Sequence, residues 1–109
     1  MQQSSFGSDP VRTSVRFPLH MEVVLSTEER DYRAVTEDVS ANGALFTGDE
    51  LPPINAEVRF RLKMPAEAMG GQKDVLLDCV GRIVRHQETA GKKWAAAVFD
   101  EYSLKAELS

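Results

Sequence analysis

Residues 57–64 read Glu-Val-Arg-Phe-Arg-Leu-Lys-Met, so charged and apolar residues alternate without interruption. Successive side chains of a β-strand point to opposite faces of a sheet, and the alternation therefore predicts a strand with one buried and one solvent-facing side. The buried side would carry Val58, Phe60, Leu62 and Met64. We interpret the charged row as a solvated surface and not as a binding patch, because the outer side of a half-buried strand is ordinarily polar.

Five more stretches have the composition of strands, and turn residues separate them. They cover residues 20–27, 32–39, 44–47, 75–86 and 94–99. Gly81 lies inside the long fourth stretch and predicts a bulge or a bend. After the last stretch, Asp100 is a suitable N-cap for a short C-terminal helix that would carry Ala106 and Leu108. Six short strands and one helix predict a mainly β domain, either a small antiparallel barrel or a sandwich.

The composition is that of one globular domain. The chain has 109 residues, of which 42% are hydrophobic and 28% charged, which fits a single core. Residues 1–10 are mostly polar and predict a flexible tail, so the domain itself would occupy residues 11–109. The single cysteine, Cys79, excludes an internal disulfide and is interpreted as a small core residue.

The charge balance limits the classes of partner. A net charge of −4 disfavours general binding of DNA or RNA, which depends on neutralising many phosphates. A small anionic ligand needs only a few local positive charges and is compatible with this balance. No apolar stretch approaches the ~20 residues of a membrane span, and the N-terminus does not have the pattern of a signal peptide. We therefore expect a cytoplasmic protein without a membrane partner.

Residues suited to catalysis do not cluster in the sequence. His20 and His86 are far apart, and we interpret both as residues of strand edges or loops. Neither a glycine-rich phosphate loop nor a zinc-binding histidine motif is present. The sequence therefore predicts a protein that is not an enzyme and that holds no metal or cofactor.

Two short motifs carry the functional signal when they are taken together. The first is Arg12-x-x-x-Arg16, and the second is Asp38-x-Ser40-x-x-Gly43. Alone, a pair of arginines is usually solvated. A turn of the second kind usually serves its own backbone, with the glycine at positive φ. Both motifs in this order, on a β-rich chain of this length, form a far more specific signal.

This combination resembles the PilZ domain family. The matching segments are Arg12-Thr13-Ser14-Val15-Arg16 and Asp38-Val39-Ser40-Ala41-Asn42-Gly43. The resemblance implies a six-stranded antiparallel β-barrel with a C-terminal helix, and binding of the bacterial second messenger cyclic di-GMP. It assigns that ligand to five principal residues, Arg12, Arg16, Asp38, Ser40 and Gly43. Further candidate contacts are Val11, Ala41, Asn42, Arg85 and Trp94.

These residue types suit a ligand that presents two phosphates and two guanines. Arginine can bind the O6 and N7 edge of guanine bidentately, stack on a base, or clamp a phosphate. The Asp38 carboxylate can accept hydrogen bonds from guanine N–H groups. Ser40 can donate to a phosphate or a guanine acceptor, and Gly43 allows a close approach of the backbone.

Two functions remain open on this evidence. The domain is either a receptor that binds cyclic di-GMP and relays the signal by a conformational change, or an adaptor that binds a protein partner without nucleotide. In the receptor, a protein partner or a neighbouring domain would receive the signal. The intact motifs favour the receptor. For Trp94 the alternative to base stacking is a place in the core or at the barrel edge.

Overall fold

The computed structural model describes residues 16–66 and 72–108, in which seven β-strands are defined. They are β1 (Phe17–Pro18), β2 (Glu22–Ser26), β3 (Asp31–Val39), β4 (Gly43–Thr47), β5 (Glu57–Met64), β6 (Asp74–Thr89) and β7 (Lys92–Leu108). The predicted tail at residues 1–10 and the candidate contacts Val11 and Arg12 lie outside the described residues.

The strand pairings are antiparallel, and their order closes the sheet on itself. The strands follow the order β1-β3-β2-β5-β6-β7-β4, and β4 pairs in turn with β3. Strands β2 to β7 thus form a closed six-stranded barrel, and β1 adds a two-residue pairing along β3. The seam between β2 and β5 is held by the pairing of Ser26 with Arg59. The barrel is therefore confirmed over the sandwich.

Strand β5 places its residues as the alternation predicts. Val58 and Leu62 are fully buried, and Phe60 and Met64 are 5% and 6% exposed. The ring of Phe60 packs edge-on against Phe46 of β4, with 5.3 Å between the ring centroids. Both rings belong to the barrel core, and aromatic contacts of this kind contribute beyond the burial of apolar area.

The two longest strands, β6 and β7, form one hairpin. Its turn consists of Ala90 and Gly91, whose φ angles of 53° and 81° are the positive pair of a type I′ turn. The ladder shifts register at Leu76/Leu77, Val80/Gly81 and Ile83/Arg85. The bulge predicted at Gly81 is confirmed. Glycine is needed there because an added Cβ would lie 2.5 Å from the carbonyl oxygen of Val98.

The predicted C-terminal helix is wrong, because β7 continues as a strand to Leu108. The residues after Asp100 pair with the first half of β6, as Leu104 does with Leu77. Without this partner, the first half of β6 would leave backbone groups open along one edge, and the pairing satisfies them. Residues 101–105 alternate between polar and apolar types, which is a strand signal. The capping signal at Asp100 was local and was outweighed by the pairing.

Cys79 lies in the core as predicted, with 2% of its surface exposed. Burial, with a smaller contribution from the neighbouring Asp78, raises the pKa of its thiol to about 12. The thiol therefore stays protonated near neutral pH, where only the thiolate would be reactive.

Residues 16–66 and 72–108 contain no helix that could span a membrane. They also hold no group of three or more His, Cys, Asp and Glu side chains placed to bind a metal ion.

Replacing Gly81 with alanine should destabilise the barrel. The new methyl group would meet the carbonyl oxygen of Val98, which belongs to the paired β7 backbone and cannot move independently. We expect a loss of about 1–3 kcal/mol in the free energy of unfolding, measured by urea denaturation. Glu88→Ala, at an exposed position of the same strand, is the control and should change this free energy by less than about 0.5 kcal/mol. An unchanged value for Gly81→Ala would contradict the close approach of the two strands.

Candidate functional site

The second motif forms the corner between β3 and β4, and Ser40 is its centre. The Ser40 hydroxyl oxygen accepts hydrogen bonds from the backbone N–H groups of Asn42 at 3.2 Å and Gly43 at 3.3 Å. The backbone N–H of Ser40 donates to the carbonyl oxygen of Gly43 at 2.8 Å. Since Ser40 is only 9% exposed, it shapes the corner from beneath its surface. The direct contact of Ser40 with a ligand stays a prediction.

Gly43 is a strand residue and not the left-handed position of a turn. It is buried, begins β4 and pairs with Val98 of β7. The expectation of a positive φ at Gly43 is therefore wrong. Within the described parts of the chain, positive φ angles occur at Asn55, Ala90 and Gly91.

The tip of the corner is exposed and is tied to β7. The side chains of Ala41 and Asn42 are exposed, and their contact with a ligand stays a prediction. The carbonyl oxygen of Asn42 accepts a hydrogen bond from the backbone N–H of Phe99 at 2.7 Å. The corner is thus braced both by its own serine and by the neighbouring strand.

A β-bulge in β3 turns Asp38 to the outer surface. Thr36 faces the core and is fully buried, so strict alternation along the strand would also point Asp38 inward. The ladder with β4 shifts by one residue between these two positions, and Asp38 pairs with Leu45. Leu45 lies between the core residues Ala44 and Phe46 and therefore faces outward. Asp38 shares that outer face.

A second bulge does the same for Arg85 in β6. Ile83 is fully buried, and strict alternation would place Arg85 on the same inner face. The register shifts between these two residues, and Arg85 pairs with Ala96 of β7. Ala96 lies between two core residues, Ala95 and Ala97, so its side chain is on the outer face.

These pairings create one line of outward positions across four strands, which we call the outer row: Asp38, Leu45, Ala96 and Arg85. Neighbouring strands are about 4.8 Å apart, so the two ends of the row are separated by about 14 Å. A carboxylate stands at one end and a guanidinium at the other, and between them lie the half-buried Leu45 and Ala96, which is only 1% exposed. The two polar ends, which are both partly exposed, are the parts of the row that a ligand can reach.

Trp94 lies on the same face as the outer row, two residues before Ala96 and about 7 Å from it along the strand. The ammonium group of Lys92 stands 4.5 Å from the centroid of its indole ring. The residue also lines a groove of about 560 Å³ at the barrel edge, together with Arg30 and Tyr32. Trp94 is partly buried and belongs to the barrel edge and not to the core cluster.

Strand β1 brings the first motif to the second. Phe17 pairs with Val39 and Pro18 with Asp38, so the residue before β1, Arg16, arrives beside the corner. One guanidinium nitrogen of Arg16 lies 3.4 Å from a carboxylate oxygen of Asp38. The two side chains are 32% and 20% exposed, so the pair is accessible to a ligand.

The connection from β1 to β2 is fixed by a buried threonine. The backbone N–H of Met21 donates to the Thr36 hydroxyl oxygen at 3.0 Å, and that hydroxyl donates to the carbonyl oxygen of Leu19. Because Thr36 lies two residues before Asp38 on β3, one strand holds both the connection and the acidic residue of the site.

Glu37, in the bulge of β3, attracts two further basic groups that the sequence did not single out. His20 Nε2 lies 3.7 Å from one of its carboxylate oxygens, and Lys92 Nζ lies 3.9 Å from the other. Arg16 beside Asp38 adds a third basic side chain at this end of β3. A chain whose net charge is −4 can thus still present basic groups to an anion at this place.

A family model of the PilZ domain matches residues 10–107. This chain belongs to the PilZ domain family. Its members are binding or receptor modules, and the closed six-stranded barrel agrees with the barrel that the resemblance implied, whereas β7 stands in place of the implied C-terminal helix. No curated protein matches this PilZ domain at a significant level.

Five chains of solved structures match this PilZ domain significantly. One of them is the Bacillus subtilis inhibitor of motility, MotI/DgrA, with a TM-score of 0.67 and 18% sequence identity. The match covers 84% of this chain and 44% of that protein, so the chain spans less than half of its length. At this identity the likeness concerns the fold.

Removing the Ser40 hydroxyl should loosen the corner. Ser40→Ala leaves the backbone N–H groups of Asn42 and Gly43 without the acceptor that they share. We expect the free energy of unfolding to fall by about 1–3 kcal/mol in thermal or chemical denaturation. Thr89→Ala removes an exposed hydroxyl from β6 and should cost less than about 0.5 kcal/mol. Equal stabilities of the two variants would show that the serine is not structural.

Proposed function

We propose that this PilZ domain is a receptor that binds cyclic di-GMP over Arg16, the β3–β4 corner and the outer row. One observation carries the proposal: Arg16 of the first motif and Asp38 of the second, separated by 22 residues, approach to 3.4 Å. Membership of the PilZ family supports it, as does the presence of both motifs in the sequence.

Binding is proposed to exchange partners at the Arg16–Asp38 pair. An exposed ion pair of this kind contributes only about 0–1 kcal/mol, so it can open at little cost. Arginine can contact phosphate, or the O6 and N7 edge of guanine, through two parallel hydrogen bonds. Such a bidentate contact is stronger and more specific in its geometry than a single exposed contact. Arg16 would move to the ligand, and the Asp38 carboxylate would accept hydrogen bonds from guanine N–H groups.

The other predicted contacts would reach the ligand from three different places around the same surface. Ala41 and Asn42 offer the exposed tip of the corner, and Arg85 offers the far end of the outer row. Trp94 offers an aromatic face beyond Ala96, on which a second base could stack. For Arg12 and Val11 the proposal rests on the sequence motif, where Arg12 would provide a second phosphate or base contact.

The signal is proposed to leave the site through β1. This strand has two residues and pairs only with β3 among the described strands. A movement of Arg16 toward the ligand would displace the adjacent Phe17. The pairing of Phe17 with Val39 is one of the two pairings that hold β1. Ligand binding can therefore change the surface that β1 presents to a protein partner or to a neighbouring domain.

Isothermal titration calorimetry with cyclic di-GMP tests the proposal. The parent chain should bind saturably, and Arg16→Ala should bind at least about tenfold more weakly, because charge-assisted bonds of about 1.5–3 kcal/mol are lost. Arg16→Lys keeps the charge but loses the planar fork, so it should also bind more weakly than the parent. Arg61→Ala is the matched control, since Arg61 is an exposed arginine of β5 that pairs with Asp78.

The control should retain the parent affinity within about twofold, because its charge is remote and screened. Circular dichroism should show that every variant keeps the barrel. Absence of heat from a folded parent chain would refute the receptor and favour the adaptor, which binds a protein without nucleotide. Equal weakening by Arg61→Ala and Arg16→Ala would show that binding follows total charge and not this site.

A further inference from the structure

Strand β7 has an open edge after it leaves the corner. On the side of β4, its last paired residue is Val98, and Phe99 makes the final hydrogen bond, to Asn42. Beyond this point the segment 101–104 and Ala106 of β7 pair with β6 on the opposite side, and Asp100 and Lys105 lie at the two register shifts. No strand in the described parts of the chain covers the remaining edge.

The open edge also exposes apolar side chains. Tyr102 pairs with Cys79, and Leu104 pairs with Leu77, so both continue rows that begin in the core. They nevertheless remain 50% and 57% exposed. Unpaired backbone groups next to exposed apolar side chains form a template for another strand.

The sequence of this edge is complementary to itself. When two copies of a strand pair antiparallel around Ser103, Glu101 of each copy faces Lys105 of the other. Tyr102 of each copy then faces Leu104 of the other. Centring the pair on Tyr102 or Leu104 instead would leave the charged residues without opposite charges. Opposite charges and aromatic–aliphatic pairs are the cross-strand neighbours that stabilise sheets.

We propose that the edge of β7 from Asp100 to Ala106 is a self-association surface, on which a second copy of this chain pairs antiparallel around Ser103. The charges select this register, because it forms two Glu101–Lys105 pairs in one symmetric interface. Charged residues and bulges usually protect an open edge against pairing. Here the two bulges lie on either side of the segment 101–104, at Asp100 and at Lys105, and the charges of Glu101 and Lys105 attract a second copy.

The dimer is expected to be reversible. A pairing of this length buries much less than the about 1,600 Å² that is typical of a stable protein interface. Association should therefore vary with protein concentration, and it requires no nucleotide. The proposal goes beyond the receptor function and is tested without cyclic di-GMP, so the failure of one leaves the other intact.

Sedimentation equilibrium of the 109-residue chain, over a series of concentrations, tests the proposal through charge reversal. Glu101→Lys and Lys105→Glu each place like charges opposite one another twice, and each should weaken dimerisation by about tenfold or more. The double variant restores opposite charges and should recover the parent association. A mixture of the two single variants should form heterodimers, because each then meets its complement.

Glu88→Lys makes the same change of charge at an exposed position of β6, and it should associate as the parent does. Hydrogen exchange provides an independent readout, in which amides of residues 100–106 should gain protection as the concentration rises. A parent chain that stays monomeric throughout would overturn the proposal. So would a dimer that the single reversals leave unchanged, or one that neither the double variant nor the mixture restores.

Discussion

A single register shift between Thr36 and Asp38 of β3 governs both the core and the candidate site. On one side of the shift, the fully buried Thr36 holds the connection between β1 and β2. On the other side, the strand turns Asp38 outward without leaving the ladder that closes the barrel. A strict strand would have buried this carboxylate, which would cost several kcal/mol without a partner. The bulge therefore allows β3 to close the barrel, to bury Thr36 and to expose Asp38.

The bulge between Ile83 and Arg85 has the same effect three strands away in β6, and the two shifts together define the outer row. A second consequence concerns the corner that follows Asp38. Its shape is set by buried hydrogen bonds of Ser40 and by the bond from Phe99 to Asn42. The corner is therefore braced by hydrogen bonds, and the Arg16–Asp38 pair beside it is partly exposed. Strand β7 links this corner to the open edge, because Phe99 precedes the first residue of that edge.

The sequence predicted the strands of the barrel because each has a local signal. Residues 57–64 alternate perfectly, and Gly81 marked its bulge before any partner strand was known. The helix at residues 100–108 was wrong because Asp100 and the apolar residues after it satisfy local helix rules, whereas their strand partner lies more than 20 residues away in β6. The pattern from Glu101 to Lys105 could have given the strand if alternation had been weighed above capping.

The candidate site was predictable as a set of residues but not as a surface. Two motifs named Arg16, Asp38 and Ser40, and the structure brings the first two together. That Ser40 would be buried in its own turn, or that Arg85 would face outward, depends on pairings that no single segment encodes. The contacts of His20 and Lys92 with Glu37 could not be predicted for the same reason, since the three residues come from separate parts of the chain.

The most direct test of the account is an NMR titration that follows the backbone amides as cyclic di-GMP is added. We predict that the largest shift changes fall on Arg16, on residues 38–43 and on Ala96 and Arg85, because these form one surface. Shift changes centred instead on the groove lined by Arg30 and Tyr32 would contradict this binding surface. The absence of any shift change in a folded chain would contradict it as well.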